Sequence, residues 1–545
     1  MAASLIGSIA RIGLKGIAGA TGVSGIATAY VYQTDESWRR IIDFHILTTP
    51  ILWDYYRNYG DNSDDDEALQ VLHEKHAPKT LDIVLDLGGY YVKAAQMFCG
   101  MNLMPKAYEK EFSILLDQVP PKHDFVTIKQ IVETELGGKL NEIFLEFDEK
   151  PIAAASIGQV HCAKILQDGI PTDVVVKVQY PEVEKYFELD VLSLKNLCNV
   201  CQAVGMETGI SPESLDKVFD EFTNSFQEEF DYRREAENML LVGSNLRASQ
   251  FAKQVKVPQP ISPLTSAKVL TMEKLQGEPI QKRMNRVMSE WAEREGKTMD
   301  EFKEDLEQKY KDPKELEKIM QQKPPSALQL WFYKTFLRST DLASNTKIWI
   351  TNKFTKAPKP YNWSTLPLDA SRICNLVFQV HAHQLFVNGA FNADPHAGNI
   401  LICEDGNGTT TLGLIDFGNV QRIPSEERRK ALAQFYLSMA KDWSETPETW
   451  NNNEIAKRFK AVGGESINSN TDFLTFNALT MYDMRLDPTT LKRFGIDADM
   501  SNYMDAYQDD TFKEFPADLV NLQRLCQTLV GVAGIIGAGQ PSCAR

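Results

Sequence analysis

The sequence predicts an α+β protein of two lobes, a mixed small lobe and a helical large lobe, preceded by an N-terminal helical extension. Three observations predict it. Runs rich in β-branched residues crowd residues 151–180 and 255–280. Apolar residues at helical spacing fill 182–248 and the chain after 424. Between them, FNADPHAGNILI (391–402) and LGLIDFGNV (412–420) pair short apolar runs with polar residues that a plain core strand would not carry.

The chain has 545 residues, 43% hydrophobic and 24% charged, which is ample for a two-lobed core. The net charge of -16 argues against a nucleic-acid binder, which needs a basic face. It leaves room for a nucleotide site, where local positive charge suffices. The eight cysteines follow no disulfide framework, so the compartment reads as reducing. Cys198 and Cys201 form a lone C-x-x-C in a helical context, and lone pairs rarely make a metal site.

The elements follow in order. Residues 1–34 hold no Asp or Glu and only Arg11 and Lys15, the pattern of a transit peptide. Within them, 16–32 is uncharged but short of the ~20 residues of a membrane span. Residues 1–60 are therefore read as a targeting or membrane-associated segment. DNSDDDEA (61–68) is a solvated acidic hinge opening a helical extension over 61–150. Pro120 and Pro121 break that stretch, and HDFVTIKQIVETELGG (123–138) is a helix with a Gly stop. The small lobe spans 151–280, with PIAAASIGQVHCAKI and DVVVKVQYP as strands joined by a turn at QDGI. A charged insertion covers 281–366; its part up to 325 reads as helix and 340–366 as a long loop with Pro, Lys and aromatics. The large lobe and C-terminal helices run over 367–545, opening with the helix LDASRICNLVFQVHAHQLFVNG.

The chemistry lies in an ordered set of residues. VVVK ends on Lys177, and a Lys in a strand is costly to bury unless paired. FQEEFDYRREAENM supplies Glu229, Asp231 and Glu235 on a helix, and Asp394, Asn399 and Asp416 follow. Lys on a strand, Glu on a helix, D-x-x-x-x-N on a loop and DFG after a strand is the protein-kinase order. In that order Lys177 neutralises nucleotide phosphates and a helix Glu fixes it. Glu235 and Glu229 are both candidates for that place. Asn399 and Asp416 are hard oxygen ligands for Mg²⁺, and Asp394 takes the base position. A kinase-like fold also places the adenine-reading hinge at MEKL, with Met272 as gatekeeper and the backbone of Glu273 and Leu275 facing the base. Where a Gly-rich loop should cover the phosphates stands AAASIGQV (153–160). Ala154 and Ala155 carry Cβ atoms that restrict the backbone, while Ser156 and Gly158 remain available.

Other candidates read as structural. His381 and His383 face alternate sides of a helix, which suits core or surface places. His396 lies within the loop of Asp394 and could orient it, although a structural use suits it as well. GVAGIIGAG (531–539) follows no strand, so it reads as a helix-packing or membrane-contacting face rather than a phosphate loop.

PIAAASIGQVH, VVVKVQYP, FDYRREAENM, FNADPHAGNILI and LIDFGNV together resemble the UbiB or aarF-domain-containing (ABC1-type) atypical kinases, over residues 80–280 and 367–440. The layout before GGYYVKAAQ resembles the mitochondrial branch. The resemblance implies ATP and Mg²⁺ as cofactors, a membrane lipid or prenyl-lipid intermediate as partner, and a place at the mitochondrial inner membrane, with a plastid as alternative. It implies a Mg²⁺-dependent ATPase or small-molecule kinase supporting lipid or ubiquinone metabolism. A protein Ser/Thr kinase and a non-catalytic, nucleotide-gated membrane scaffold are the other readings. The family carries K-x-G-Q on a helix that covers the protein-substrate cleft and pairs it with E-x-D. Here the first motif reads KAAQ, with Lys93 and Gln96 kept and Ala95 in place of Gly. The second is Glu229 and Asp231, so these four carry the implied regulatory role, and the resemblance thereby assigns Glu235 as the partner of Lys177, with Glu229 the alternative. Two further departures are Asn392 for the usual His and Ala397 for the usual second Pro.

Overall fold

The structure is a computed structural model that describes residues 30–59, 66–100, 104–116, 119–203, 223, 226–302, 304–305, 326–355, 357–364, 366–404, 410–443, 452–485, 487–497, 503–507, 510–513, 516–536 and 543. Residues 1–29, most of the acidic hinge and residues 306–325 lie outside them, and with these go the first half of the 1–60 targeting segment and part of the charged insertion. The chain divides into two compact units, 1–232 with 264–271, and 233–263 with 272–545.

The first unit begins with helices α1 (Glu36–Tyr59), α2 (Asp66–Leu87), α3 (Tyr90–Gly100) and α4 (Lys106–Phe112). Two apolar clusters hold them. Val92, Ala95 and Cys99 of α3 pack with Phe112 and Leu115. Phe44, Leu87 and Tyr91 pack against Leu194 and Leu197, on the later helix α7. Helix α5 (Phe125–Leu136) starts where its sequence demands. The Asp124 carboxylate accepts the Thr127 N–H, and Gly137 ends the helix at φ +71°. A short α6 (Leu140–Ile143) leads into strands β1 (Glu146–Phe147), β2 (Ala153–Ala154), β3 (Gly158–Gln167) and β4 (Ile170–Gln179).

Strands β3 and β4 are antiparallel over their full length, with Gln167 opposite Ile170. The turn between them is Asp168–Gly169, both at positive φ (52° and 81°), which suits the twist of a two-residue hairpin. Val174, Val176 and Val178 of β4 are wholly buried on one face, so the two-residue period turns Lys177 to the other. Strands β1 and β2 pair with β3. On the β4 edge the 264–271 hairpin adds to the sheet, Gln179 N–H donating to Lys268 C=O at 2.9 Å. Helix α7 (Glu182–Ala203) follows. Its buried Asp190 takes a two-pronged ion pair from Arg40 at 2.6 and 2.8 Å.

The second unit carries α8 (Tyr232–Arg247), β5 (Val255–Lys256), the outer ends of β6 (Pro260–Thr265) and β7 (Val269–Glu273), β8 (Glu278–Pro279), α9 (Ile280–Glu295) and α10 (Ala327–Asn352). Then come α11 (Ala370–Ala382), β9 (Ala390–Asn392), β10 (Ile400–Glu404), β11 (Thr410–Leu414) and β12 (Val420–Arg422). Helices α12 (Glu426–Trp443), α13 (Asn452–Ala461), α14 (Thr471–Tyr482), α15 (Pro488–Arg493), α16 (Tyr503–Ala506) and α17 (Ala517–Ile536) complete it. A small sheet has the order β5-β11-β10-β8, and β9 pairs β12.

One stretch differs from the sequence reading. Residues 340–352, expected as loop, continue helix α10, which starts on a Ser326–Gln329 capping box. No Gly or Pro interrupts 327–352, and the prolines that suggested a loop, Pro358 and Pro360, stand beyond its end. Among the described residues, α17 is the one helix long and apolar enough to cross a membrane. Yet its Leu519, Leu522, Leu525, Leu529 and Val532 are buried in this unit. Residues 531–536 of the Gly-rich stretch thus serve helix packing, through Val532, Ala533 and Ile536.

Candidate active site

In the second unit the loop after β9 holds Asp394 and Asn399, and the loop after β11 holds Asp416. Backbone bonds tie the two loops together. Asn392 stands opposite Val420 in the β9–β12 pair, and Ala393 N–H donates to Asn419 C=O at 2.9 Å. Ile415 N–H donates to Asn399 C=O at 3.1 Å, so the two expected metal ligands flank one hydrogen bond.

Asn392 links the loops a second time. It is buried, its Nδ2 donates to Asp416 C=O at 2.7 Å, and its Oδ1 accepts Asp394 N–H at 3.0 Å. A carboxamide has a donor and an acceptor in one plane, which both contacts use. Asp416 Oδ1 accepts Gly418 N–H at 3.1 Å, shaping the DFG turn. Asp394 Oδ2 accepts from Arg524 Nη2 of α17 at 2.8 Å. His396 Nδ1 accepts Gly398 N–H at 3.2 Å, so its ring caps the short turn Ala397–Asn399.

Helix α8 holds the DFG segment from the other side. Phe417 is fully buried. Asn238 Nδ2 donates to its C=O at 3.1 Å, and its N–H makes a long 3.5 Å bond to Glu235 Oε1. Glu235 is 4% exposed, and burial of a carboxylate at that level demands such donors. The structure therefore brings Glu235 and Asp416 to the same short segment.

The MEKL segment leaves β7 in an ordered bend. Glu273 N–H donates to Gln259 C=O, and Gln259 N–H donates back to the Glu273 carboxylate, both at 3.0 Å. Met272 is buried and the Leu275 side chain lies against Gly413, where an added Cβ would stand 2.9 Å from its Cδ1.

In the first unit the alanine-rich segment is a tight hairpin. Ala154 pairs with Gln159, and Ala155 N–H donates to Gly158 C=O at 2.7 Å. Ser156 is buried within the turn. Gly158 cannot be larger, because a Cβ there would lie 2.5 Å from Val178 O and 2.8 Å from Tyr232 Oη. Lys177 stands opposite Val160, one strand in from this hairpin, with its Nζ 5.1 Å from the centre of the Tyr232 ring.

The same unit brings the KAAQ helix to the E-x-D segment. Lys93 Nζ lies 2.7 Å from Glu229 Oε1 and 3.0 Å from Oε2. Gln96 Nε2 donates to Leu115 C=O at 2.5 Å. Ala95, where the family usually has Gly, is buried against Val92, Cys99, Phe112 and Leu115. Its methyl fills the core between these helices. Glu229 and Asp231, expected on the helix of Glu235, instead lie in and just after the short turn Glu228–Phe230, with Asp231 extended before the helix starts at Tyr232; the Glu229 and Phe230 carbonyls accept from Gln179 Nε2 at 3.4 and 3.2 Å.

The two expected metal ligands, Asn399 and Asp416, are hard oxygen donors on adjoining loops. Among the described residues no group of three or more His, Cys, Asp or Glu gathers as a metal site. Mg²⁺ held through nucleotide phosphates asks for only one or two protein ligands, so the pair fits. His381 is no ligand: it is fully buried, its Nδ1–H donates to Val377 C=O at 2.8 Å, and burial pushes its pKa down to about 4. Sequence reasoning missed Asn238 and Arg524 and gave Asn392 no task. Arg524 had a signal, being the one charge between Leu519 and Ile536 in an apolar helix.

The ABC1 atypical kinase-like domain matches residues 114–310 and 343–449, more than half of the chain. The chain is similar to "Protein ACTIVITY OF BC1 COMPLEX KINASE 8, chloroplastic" from Arabidopsis thaliana, 27% identical over 76% of this chain and 42% of that one. It is 31% identical to "Probable serine/threonine-protein kinase abkD" from Dictyostelium discoideum over 39% of this chain and 29% of that one. It is 28% identical to "AarF domain-containing protein kinase 1" from Xenopus laevis over half of each chain. In each case the chain spans half the relative's length or less. With that match over more than half of its length, the chain belongs to the ABC1 atypical kinase-like domain family.

Proposed function

We propose that this protein binds Mg²⁺–ATP and transfers or hydrolyses its terminal phosphoryl group. The observation that carries the reading is the link between the Asp394 and Asp416 loops through Asn392, together with the Ile415–Asn399 bond. Phosphoryl transfer asks the protein chiefly for positioning and electrostatics, and rigidly tied loops supply positioning. Bound Mg²⁺ would neutralise charge on the phosphates. Asn399 and Asp416 would hold it, and Lys177 would neutralise the α and β phosphates. The alanine hairpin with Ser156 and Gly158 covers them, and the backbone at Glu273 and Leu275 receives the base. Asp394 accepts the proton of the attacking hydroxyl or water as the bond to ADP breaks. Lys93, Gln96, Glu229 and Asp231 restrain the KAAQ helix and regulate access.

The acceptor is a lipid-linked small molecule or water, supporting lipid or ubiquinone chemistry in a mitochondrion. The chloroplastic relative supports the plastid alternative. The test is thermal stabilisation of the full chain by ADP. Stabilisation that needs Mg²⁺ and falls in Asp416→Asn supports the reading. Stabilisation by Mg²⁺–ADP equal in wild type and Asp416→Asn removes Asp416 from the site.

A further inference from the structure

Helix α10 carries an exposed aromatic stripe that no packing among the described residues uses. Leu328, Trp331, Phe332, Phe336, Leu342 and Trp349 fall on one side at helical spacing. All six are exposed, Trp331 at 58% and Phe336 at 61%. The opposite side of α10 is the docked one. There Leu330, Asp341 and Asn345 are buried. Asp341 accepts Ser364 N–H and Oγ–H at 3.0 and 2.7 Å, and Asn345 exchanges hydrogen bonds with the Asn362 backbone at 2.9 and 2.8 Å. The helix is thus ordered by its own returning loop and has no folding need for the aromatic side. That loop adds Phe354, 86% exposed, to the apolar surface.

The charge pattern says what covers it. The whole chain has a net charge of -16, yet residues 327–366 contain Lys334, Arg338, Lys347, Lys353, Lys356 and Lys359 against the single acid Asp341. Asp341 is buried and pairs with Arg338 at 3.2 Å, so the exposed charge left on the described part of this stretch, at Lys347, Lys353 and Lys359, is cationic. Lys353 Nζ lies 3.7 Å from the centre of the Trp349 ring, and the Arg338 guanidinium lies 5.5 Å from that of Trp363. Aromatic rings with cations beside them are the composition of a helix lying at a lipid headgroup layer, with Trp at the interface and Lys or Arg on anionic heads. A protein groove would satisfy the apolar stripe without calling for this segregation of cations.

We infer that α10 with its following loop is an interfacial membrane anchor that lays its aromatic stripe into an anionic phospholipid surface. Its length of about 39 Å, at 1.5 Å per residue, suits a helix in the plane of the interface. The inference stands independently of phosphoryl transfer. It predicts a contact in the interior of the chain, separate from anything residues 1–34 do.

The test uses the full chain and vesicles of phosphatidylcholine, with or without phosphatidylglycerol. Brominated acyl chains should quench the fluorescence of Trp331 and Trp349, read as the difference between wild type and the W331F/W349F variant. Quenching should need the anionic lipid. F332S/F336S/L342S replaces exposed side chains only, so melting should not change, and vesicle affinity should fall by about ten-fold or more. Lys347→Glu with Lys353→Glu should weaken binding to anionic vesicles alone. Vesicle binding that leaves Trp331 and Trp349 unquenched would overturn the inference. So would a dimer that the serine variant splits while vesicle binding stays as in wild type, since the stripe would then be a self-contact.

Discussion

Arg524 Nη2 lies 2.8 Å from Asp394 Oδ2, joining the candidate base to a helix 130 residues further along the chain. Helix α17 is itself fixed by the two-pronged Arg428–Asp518 pair at 2.7 and 2.8 Å and by its buried leucines. Arg524 is therefore a positioning residue for Asp394. Arg524→Gln should lower kcat by about ten-fold to a hundred-fold while the KM for ATP stays within about two-fold. Arg524→Lys keeps the charge without the planar fork and should recover part of the loss. A fall in kcat/KM driven by KM would show that Arg524 serves binding instead.

Lys93 and Glu229 meet at 2.7 Å with both side chains mostly buried, 15% and 17% exposed. A double-mutant cycle with Lys93→Met and Glu229→Gln should give a coupling of about 1–2 kcal/mol in denaturant unfolding. Additive effects would mean that the contact carries no energy. At the neighbouring position, Ala95→Gly should cost about 1–2 kcal/mol, through helix propensity and the lost methyl in the Val92–Phe112 cluster.

Gly158 is required by space, with Val178 O 2.5 Å from where a Cβ would stand. Gly158→Ala should cost about 1–3 kcal/mol of stability, because a strand carbonyl cannot step aside as a flexible side chain can. Melting curves that coincide with wild type would contradict this.

His381 gives the fold a pH dependence. It is wholly buried, Nε2 has no partner among the described residues, and burial holds its pKa at about 4. The folded pKa lies below the unfolded one, so the unfolded chain takes the proton first. The contribution is complete above about pH 6.5 and is lost as pH falls toward 4. From pH 7 to pH 5 the loss is about 2 kcal/mol. His381→Gln should lack this slope, which denaturant titration at the two pH values measures.

Much of the architecture was legible because it is written in local signals. Asp124 and Gly137 mark both ends of α5, and Asp168–Gly169 marks the β3–β4 turn. The order of Lys177, Glu235, Asp394, Asn399 and Asp416 marked the loops proposed to carry chemistry. Contacts between distant segments left no such mark. Nothing local to Asn238 announces that it will bind the Phe417 carbonyl, and Arg524 announces only that it is a costly charge in an apolar helix. Asn392 was visible as a departure from the family pattern, but its value depends on two loops meeting, which sequence spacing does not state. The end of helix α10, 340–352, differs from its sequence reading because Pro, Lys and aromatic content over 340–366 suggested a loop, whereas the uninterrupted run without Gly or Pro over 327–352 was the stronger signal.

The most direct test is steady-state phosphate release from ATP by the full chain with Mg²⁺, beside Asp416→Asn. The account predicts turnover that a chelator abolishes and that falls by about a hundred-fold or more in Asp416→Asn. Equal turnover in the two proteins, or nucleotide binding without turnover with or without vesicles, would contradict it.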